Sequence, residues 1–138
     1  MKIMICGSMK FAREMLEAKK ALEEMGFQVD VAEDTEQCVD NPGLNMDIDH
    51  CVENDVMRSC FKQIEDSDAI LVLNHEKNGI PGYVGGNTLM DIGLATYLNK
   101  KIFILNPLPS EDQIRYVHEI KLVRPFVLDG DISRIKHF

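Results

Sequence analysis

At 138 residues, with 45% hydrophobic and 28% charged content, the chain is long enough to bury one full core, and it is expected to form one domain over residues 1–138. A net charge of −8 with no Lys/Arg stripe argues against a nucleic-acid polymer as partner, and no stretch approaches the roughly 20 apolar residues of a membrane span. The four cysteines, Cys6, Cys38, Cys51 and Cys60, show no C-x-x-C spacing, which removes zinc-ribbon and thioredoxin-type readings. The apolar part of residues 1–8 is too short for a signal peptide, so a cytoplasmic protein with reduced thiols is expected.

Residues 2–6 are a short apolar run ending in Gly7-Ser8, the pattern of a strand buried on both faces. Over 11–26 the pattern becomes helical. Phe11, Met15, Ala18, Leu22 and Met25 share one stripe, and Gly26 closes the helix. Residues 27–32 alternate as a strand. Residues 33–45 are polar and irregular, with a turn signal at Asn41-Pro42-Gly43. A second helix is predicted over 47–66, where Val52, Val56, Cys60 and Ile64 recur at helical spacing. Residues 68–74 form a third strand, and 76–84 a loop carrying Gly79-Ile80-Pro81-Gly82-Tyr83. A helix then runs from Gly85-Gly86-Asn87-Thr88 to about residue 99. A fourth strand over 101–105 ends in Asn106-Pro107. Residues 110–122 predict a helix with Ser110 as N-cap, 126–128 a short fifth strand, and 132–137 a terminal turn.

Alternating strands and helices predict an α/β fold: a single-domain, flavodoxin-like or Rossmann-like three-layer sandwich with a five-stranded, mainly parallel sheet. Such sheets bind ligands at the carboxyl ends of their strands. Three segments converge there: Gly7-Ser8-Met9-Lys10-Phe11, Asn74 onward, and Asn106-Pro107.

The most informative segment is Gly85-Gly86-Asn87-Thr88-Leu89-Met90-Asp91-Ile92-Gly93-Leu94-Ala95. Two glycines and an Asn-Thr pair opening a helix offer backbone N–H groups and a positive dipole end, which favour phosphate. Asp91 is expected in the first turn, an acid beside that cradle and among apolar neighbours. A carboxylate placed there for the helix dipole alone is the bland alternative. Gly7 and Ser8, with Met9 and Lys10 after them, offer a second phosphate contact; alternatively Gly7 permits a tight turn and Ser8 caps the helix. Asn74 and Asn106 complete the expected ligand set from the other strand ends. Asp47, Asp49, His50 and Cys51 cluster like metal ligands, but their spacing matches no established site and Asp-x-Asp before a helix commonly caps it; no metal is expected. His75 is the histidine placed just past a strand end.

The order of these parts resembles the nucleoside 2-deoxyribosyltransferase superfamily, with its 2'-deoxynucleoside 5'-phosphate N-hydrolases, over nearly the whole chain. The resemblance rests on the opening strand with Gly7-Ser8, on Ile64-Glu65-Asp66-Ser67-Asp68-Ala69-Ile70-Leu71-Val72, and on Asp91-Ile92-Gly93-Leu94-Ala95 followed by Lys100-Lys101-Ile102. The last segment is similar to a family signature in which Glu precedes Ile/Leu-Gly-x-Ala. It is most similar to a branch of small prokaryotic proteins with Gly-Gly-Asn-Thr before the acid.

The resemblance implies a covalent mechanism in which Asp91, at the family glutamate's position, attacks the anomeric carbon. Gly7, Ser8, Gly85, Gly86, Asn87 and Thr88 would then hold a 5'-phosphate. It also implies a homodimer or larger assembly and no cofactor. The chain departs from the family in three places. Asp91 is one methylene shorter than Glu; Cys60 stands eight residues before Asp68, where the family has a second acid; and Lys2-Ile3-Met4-Ile5 lacks the usual tyrosine.

Two functions follow as expectations. One is an N-glycosidase or deoxyribosyltransferase acting on a (deoxy)nucleoside or its 5'-monophosphate. The other is a non-catalytic nucleotide or sugar-phosphate binding module, which the missing second acid favours. A flavin electron carrier is disfavoured, because the loop after the first strand is poor in Ser and Thr and the chain has no Trp.

Overall fold

The computed structural model describes residues 1–41 and 43–138. Five strands, β1 (Lys2–Gly7), β2 (Gln28–Asp30), β3 (Ala69–Leu73), β4 (Lys101–Ile104) and β5 (Phe126–Val127), form one sheet in the order β2-β1-β3-β4-β5. Every pairing is parallel. This is the flavodoxin-like strand order, and the chain reverses its direction of winding between β1 and β3. Each expected strand is present within two residues of its expected bounds.

The helices are α1 (Ala12–Glu24), α2 (Thr35–Asp40), α3 (Ile48–Glu53), α4 (Val56–Glu65), α5 (Gly86–Tyr97) and α6 (Val117–Leu122). Side chains alternate across the sheet and build two cores. Ile3, Ile5, Leu71 and Phe103 pack with Met15 and Leu22 of α1 and with Ile135. Met4, Cys6, Ile70, Val72 and Ile104 pack with Ile64 of α4, Ile92 and Ala95 of α5, and Ile120 of α6. Burial on both faces explains why β1 and β3 read as unbroken apolar runs.

Four expectations are corrected. The first helix starts later than residue 11: a 3-10 turn over Met9–Phe11 comes first, with the Ser8 side chain accepting from the Lys10 N–H. Gly26, at φ +95°, then ends the segment in the left-handed region. The predicted helix over 47–66 is two helices, because Asp55 takes a left-handed conformation at φ 45°; Asn and Asp tolerate that region better than other non-glycine residues. Asp47 caps α3 through the His50 N–H at 3.1 Å, as the capping reading of that cluster expects. The segment 33–45 contains α2, which buries Thr35 and Cys38; the turn expected at Asn41-Pro42-Gly43 is centred on Pro42, which lies outside the described residues. Over 110–122 only Val117–Leu122 is helical. Ser110 opens a turn instead, and Tyr116 donates its hydroxyl proton to the Val84 carbonyl, anchoring this stretch to the loop before α5.

On α5, Thr88, Ile92 and Ala95 face the core, while Met90 and Tyr97 are 52% and 82% exposed. No helix among the described residues is long and apolar enough to cross a membrane.

The carboxyl ends of the central strands are tied by two asparagines. Asn74, fully buried, accepts from the Asn106 backbone N–H at 2.8 Å and donates to the Asn106 carbonyl at 2.9 Å. Asn106 returns a side-chain bond to the Asn74 carbonyl at 3.2 Å, and the Gly82 carbonyl accepts from Asn74 at 3.4 Å. Removing the Asn74 amide strands several buried partners. Asn74→Ala is expected to lower unfolding free energy by about 1–3 kcal/mol, read by urea denaturation. An unchanged midpoint would mean that these bonds contribute nothing net.

Candidate active site

At the sheet's switch point β1 ends in Gly7, which pairs with Leu73 at the end of β3. A Cβ on Gly7 would lie 2.9 Å from the Leu73 carbonyl oxygen and 3.2 Å from Met15 Cε, so only glycine lets the two strand ends approach this closely. Ser8 then turns the chain away from the sheet. Across this opening stands the amino end of α5. Gly85 is its N-cap, in extended conformation, and no side chain caps the helix. Its first N–H groups are thus left for another acceptor.

Because α5 begins at Gly86, Asp91 lies in its second turn rather than its first. Its partly buried carboxylate lines a cavity of about 80 Å³ with Gly7, Met9, Asn87 and Cys60. Burial pushes the carboxyl from 3.8 up to about 7, and the neighbouring Cys6 thiol partly opposes that rise. Cys6 itself is buried, and its thiol is held well above the usual range by burial and by the Asp91 charge. Cys60 is pushed up to about 12 by burial first, then by the charges of Asp91, Asp34 and Glu33. Both thiols are therefore neutral near pH 7, and the Cys6 thiol donates its hydrogen bond to the Met4 carbonyl at 3.9 Å.

The sequence-derived ligand residues separate into groups. Gly7, Met9, Asn87 and Asp91 share the cavity wall. Ser8 lies beside them; besides accepting from Lys10, its hydroxyl accepts from the Lys77 ammonium at 2.9 Å. Lys77 also sits 5.4 Å from the centroid of the Tyr83 ring, within cation–π range. Gly85 and Gly86 form the start of α5, and Lys10 is exposed. The Thr88 side chain is buried against the core and is not offered to the cavity. Asn74 and Asn106 line a separate hollow of about 510 Å³ with Pro81, Gly82 and Pro107. Their side chains are engaged with each other and with the backbone, which makes them braces of the strand ends.

Residues the sequence reading did not single out complete the picture. Asp34, just past the end of β2, lines the Asp91 cavity and also an adjoining one of about 150 Å³ with His50, Asn54 and Ser59. His50 Nε2 lies 3.4 Å from Asp34 Oδ2. The rule that ligands gather at the carboxyl ends of parallel strands points to Asp34 as it does to Gly7. Lys77 carries no sequence signal beyond its place in the loop after β3. Among the described residues no group of three or more His, Cys, Asp or Glu side chains could hold a metal ion.

No protein-family model and no curated protein sequence matches this chain. Among solved structures it is similar to the CMP N-glycosidase BcmB of Clostridium botulinum, with a TM-score of 0.57 and 17% identity, covering 99% of this chain and 98% of that one. At that identity the likeness shows the fold, and the flavodoxin-like α/β architecture with a five-stranded parallel sheet expected from the sequence is the one observed.

Two predictions follow from the site. The folded-state pKa of Asp91 is raised, so its stability contribution is fully present below the unfolded value near 4 and is lost as pH rises toward 7. Asp91→Asn removes that penalty. The variant should be more stable than the parent at pH 8, by about 1–4 kcal/mol, and indistinguishable from it near pH 4. Equal melting curves at pH 8 would refute a strained carboxylate. The second concerns Gly86, where an added Cβ meets nothing within 4 Å. Gly86→Ala should therefore keep or raise the melting temperature, since Ala suits a helix better by about 0.5–1 kcal/mol. If this helix end receives a ligand, nucleotide binding measured by calorimetry should weaken in the same variant.

Proposed function

We propose that the protein is an N-glycosidase or deoxyribosyltransferase acting on a (deoxy)nucleoside or its 5'-monophosphate, with Asp91 as the nucleophile. The observation that carries this reading is one carboxylate, withdrawn from water, at the sheet's switch point between the Gly7 turn and the uncapped start of α5. The likeness in fold to a CMP N-glycosidase supports the same reaction class.

In this reading an Asp91 oxygen attacks the anomeric carbon of the pentose. The bond from that carbon to the base nitrogen breaks, and its electron pair leaves with the base, which takes up a proton from solvent. Water, which gives a proton back to solvent, or a second base, which gives up its N–H proton, then attacks the same carbon and releases the carboxylate. The buried Cys6 thiol beside Asp91 partly offsets the cost of its charge. A carboxylate this poorly hydrated loses little water on attack, which favours nucleophilicity once it is ionised. The exposed edge of the opening receives the 5'-phosphate: the free N–H groups of α5, the Ser8 hydroxyl and the Lys77 ammonium all lie on that side. Lys77 supplies a local cation in a chain whose net charge is −8.

One observation favours the binding-module alternative. Cys60 lines the cavity with a neutral thiol where the resembling family has its second acid. Release of free base from a panel of ribo- and deoxyribonucleosides and their 5'-monophosphates separates the two. The enzyme reading expects release that disappears in Asp91→Ala. Because the nucleophile must be ionised, the rate should rise about tenfold per pH unit below pH 7 and level off above it. Activity that persists in Asp91→Ala would remove the nucleophile assignment. A nucleotide-induced thermal shift with no release from any substrate would establish the binding module.

A further inference from the structure

Asp34, His50 and Asn54 form a hydrogen-bonded chain lining the adjoining cavity, and Asp34 alone of the three also lines the Asp91 cavity. Asn54 Nδ2 lies 2.9 Å from the His50 carbonyl oxygen and 3.2 Å from His50 Nδ1. An amide nitrogen only donates, so with the amide oriented this way Nδ1 must be the accepting nitrogen. The ring proton then sits on Nε2, which donates toward Asp34 Oδ2 at 3.4 Å. The Asp34 and His50 side chains retain only 16% and 20% exposure. A carboxylate has about four acceptor positions, and His50 occupies one of them. Asp34 is thus aimed by a neighbour while keeping capacity to accept more.

The placement of this carboxylate matters because of what surrounds it. Asp34 and Asp91 line one cavity, whose other walls include apolar Met9, Ala32, Val56 and Met57. Cys60 lies within electrostatic reach of both acids. Apolar walls suit the faces of a planar ring, and an acceptor at one end suits a donor on that ring's edge. Resting on the glycosidic reading of Asp91, we infer that Asp34 is the second carboxylate of the site, supplied from the end of β2 instead of from α4, and that it accepts a hydrogen bond from the exocyclic amino group of the substrate's base. The preferred substrates are then amino-bearing bases such as cytosine and adenine. Uracil and hypoxanthine place a carbonyl oxygen at the corresponding position, and two acceptors facing each other are repelled.

The experiment compares the cytidine and uridine 5'-monophosphates, and the adenosine and inosine 5'-monophosphates, in ribo and deoxy forms. It reads kcat/KM for base release and, in the Asp91→Asn background, Kd by calorimetry. The parent should favour the amino partner of a pair by about ten- to a hundredfold, the range of one charge-assisted hydrogen bond. Asp34→Asn can turn its amide to meet a carbonyl and should erase or reverse that ratio. His50→Leu should reduce the ratio and His50→Gln, which keeps a donor, should restore part of it. A merely structural role would weaken both partners alike and leave the ratio unmoved. A parent that favours the carbonyl base, or an Asp34→Asn variant with the parent's ratio, overturns the inference. The parent ratio decides even if that variant fails to fold. If no base is released, the glycosidic reading fails by itself, and the Kd ratio and its loss in Asp34→Asn still decide for or against Asp34. Absence of nucleotide binding overturns both.

Discussion

The close approach of β1 to β3 at Gly7 is the constraint from which the rest of the site follows. No side chain fits between Gly7 and the Leu73 carbonyl. The two central strands can therefore run together to their ends, and the chain must then leave the sheet on both sides of the gap. On one side it leaves through the Ser8 turn, on the other through the loop that Asn74 ties to Asn106 and Gly82. The opening between them is where α5 arrives. Its core face, Thr88, Ile92 and Ala95, holds it against the sheet, and Asp91 is turned toward the gap. The Asp91 carboxylate is thus set by packing of the most buried part of the molecule, as a positioned group must be.

Electrostatics in this cavity run against the usual logic of an ion site. Among the described residues no cation lines the Asp91 cavity; thiols, apolar side chains, Asn87 and Asp34 do, and burial disfavours the Asp91 charge. Lys77, close to the Ser8 turn, bonds the Ser8 hydroxyl and stacks over Tyr83. Negative charge is thereby made costly at one end of the opening and favourable at the other, the polarity expected where a phosphorylated molecule is to be held in a fixed direction.

The fold was legible because its signals are local. Unbroken apolar runs marked β1 and β3, and a helical stripe marked α1. That Asp91 lies on a helix opened by a glycine turn was legible because glycines, a helix start and an acid lie close together in sequence. What was not legible depends on contacts distant in the chain. Asn74 reads as a polar residue at a strand end; only its partner 32 residues away makes it a brace. Asp34 meets His50 across 16 residues, and no periodicity announces that pairing. The break at Asp55 needs one residue in the left-handed region, which the Asn54-Asp55 pair tolerates but does not demand. Helix length over 110–122 was overestimated because Tyr116 is drawn to the Val84 carbonyl, a tertiary contact that overrides the local cap.

The two walls of the cavity differ in how they are attached. The α5 wall is docked on the sheet through buried side chains, whereas α2 and α3 are six residues each and α3 buries none. Substitutions on the α3 side touch little of the core, so they are largely free of the stability threshold that limits change elsewhere. A lineage carrying this fold could therefore explore new ligands by drift along α3 while packing holds the Asp91 wall in place. Evolvability, in this molecule, is concentrated on one side of a single cleft.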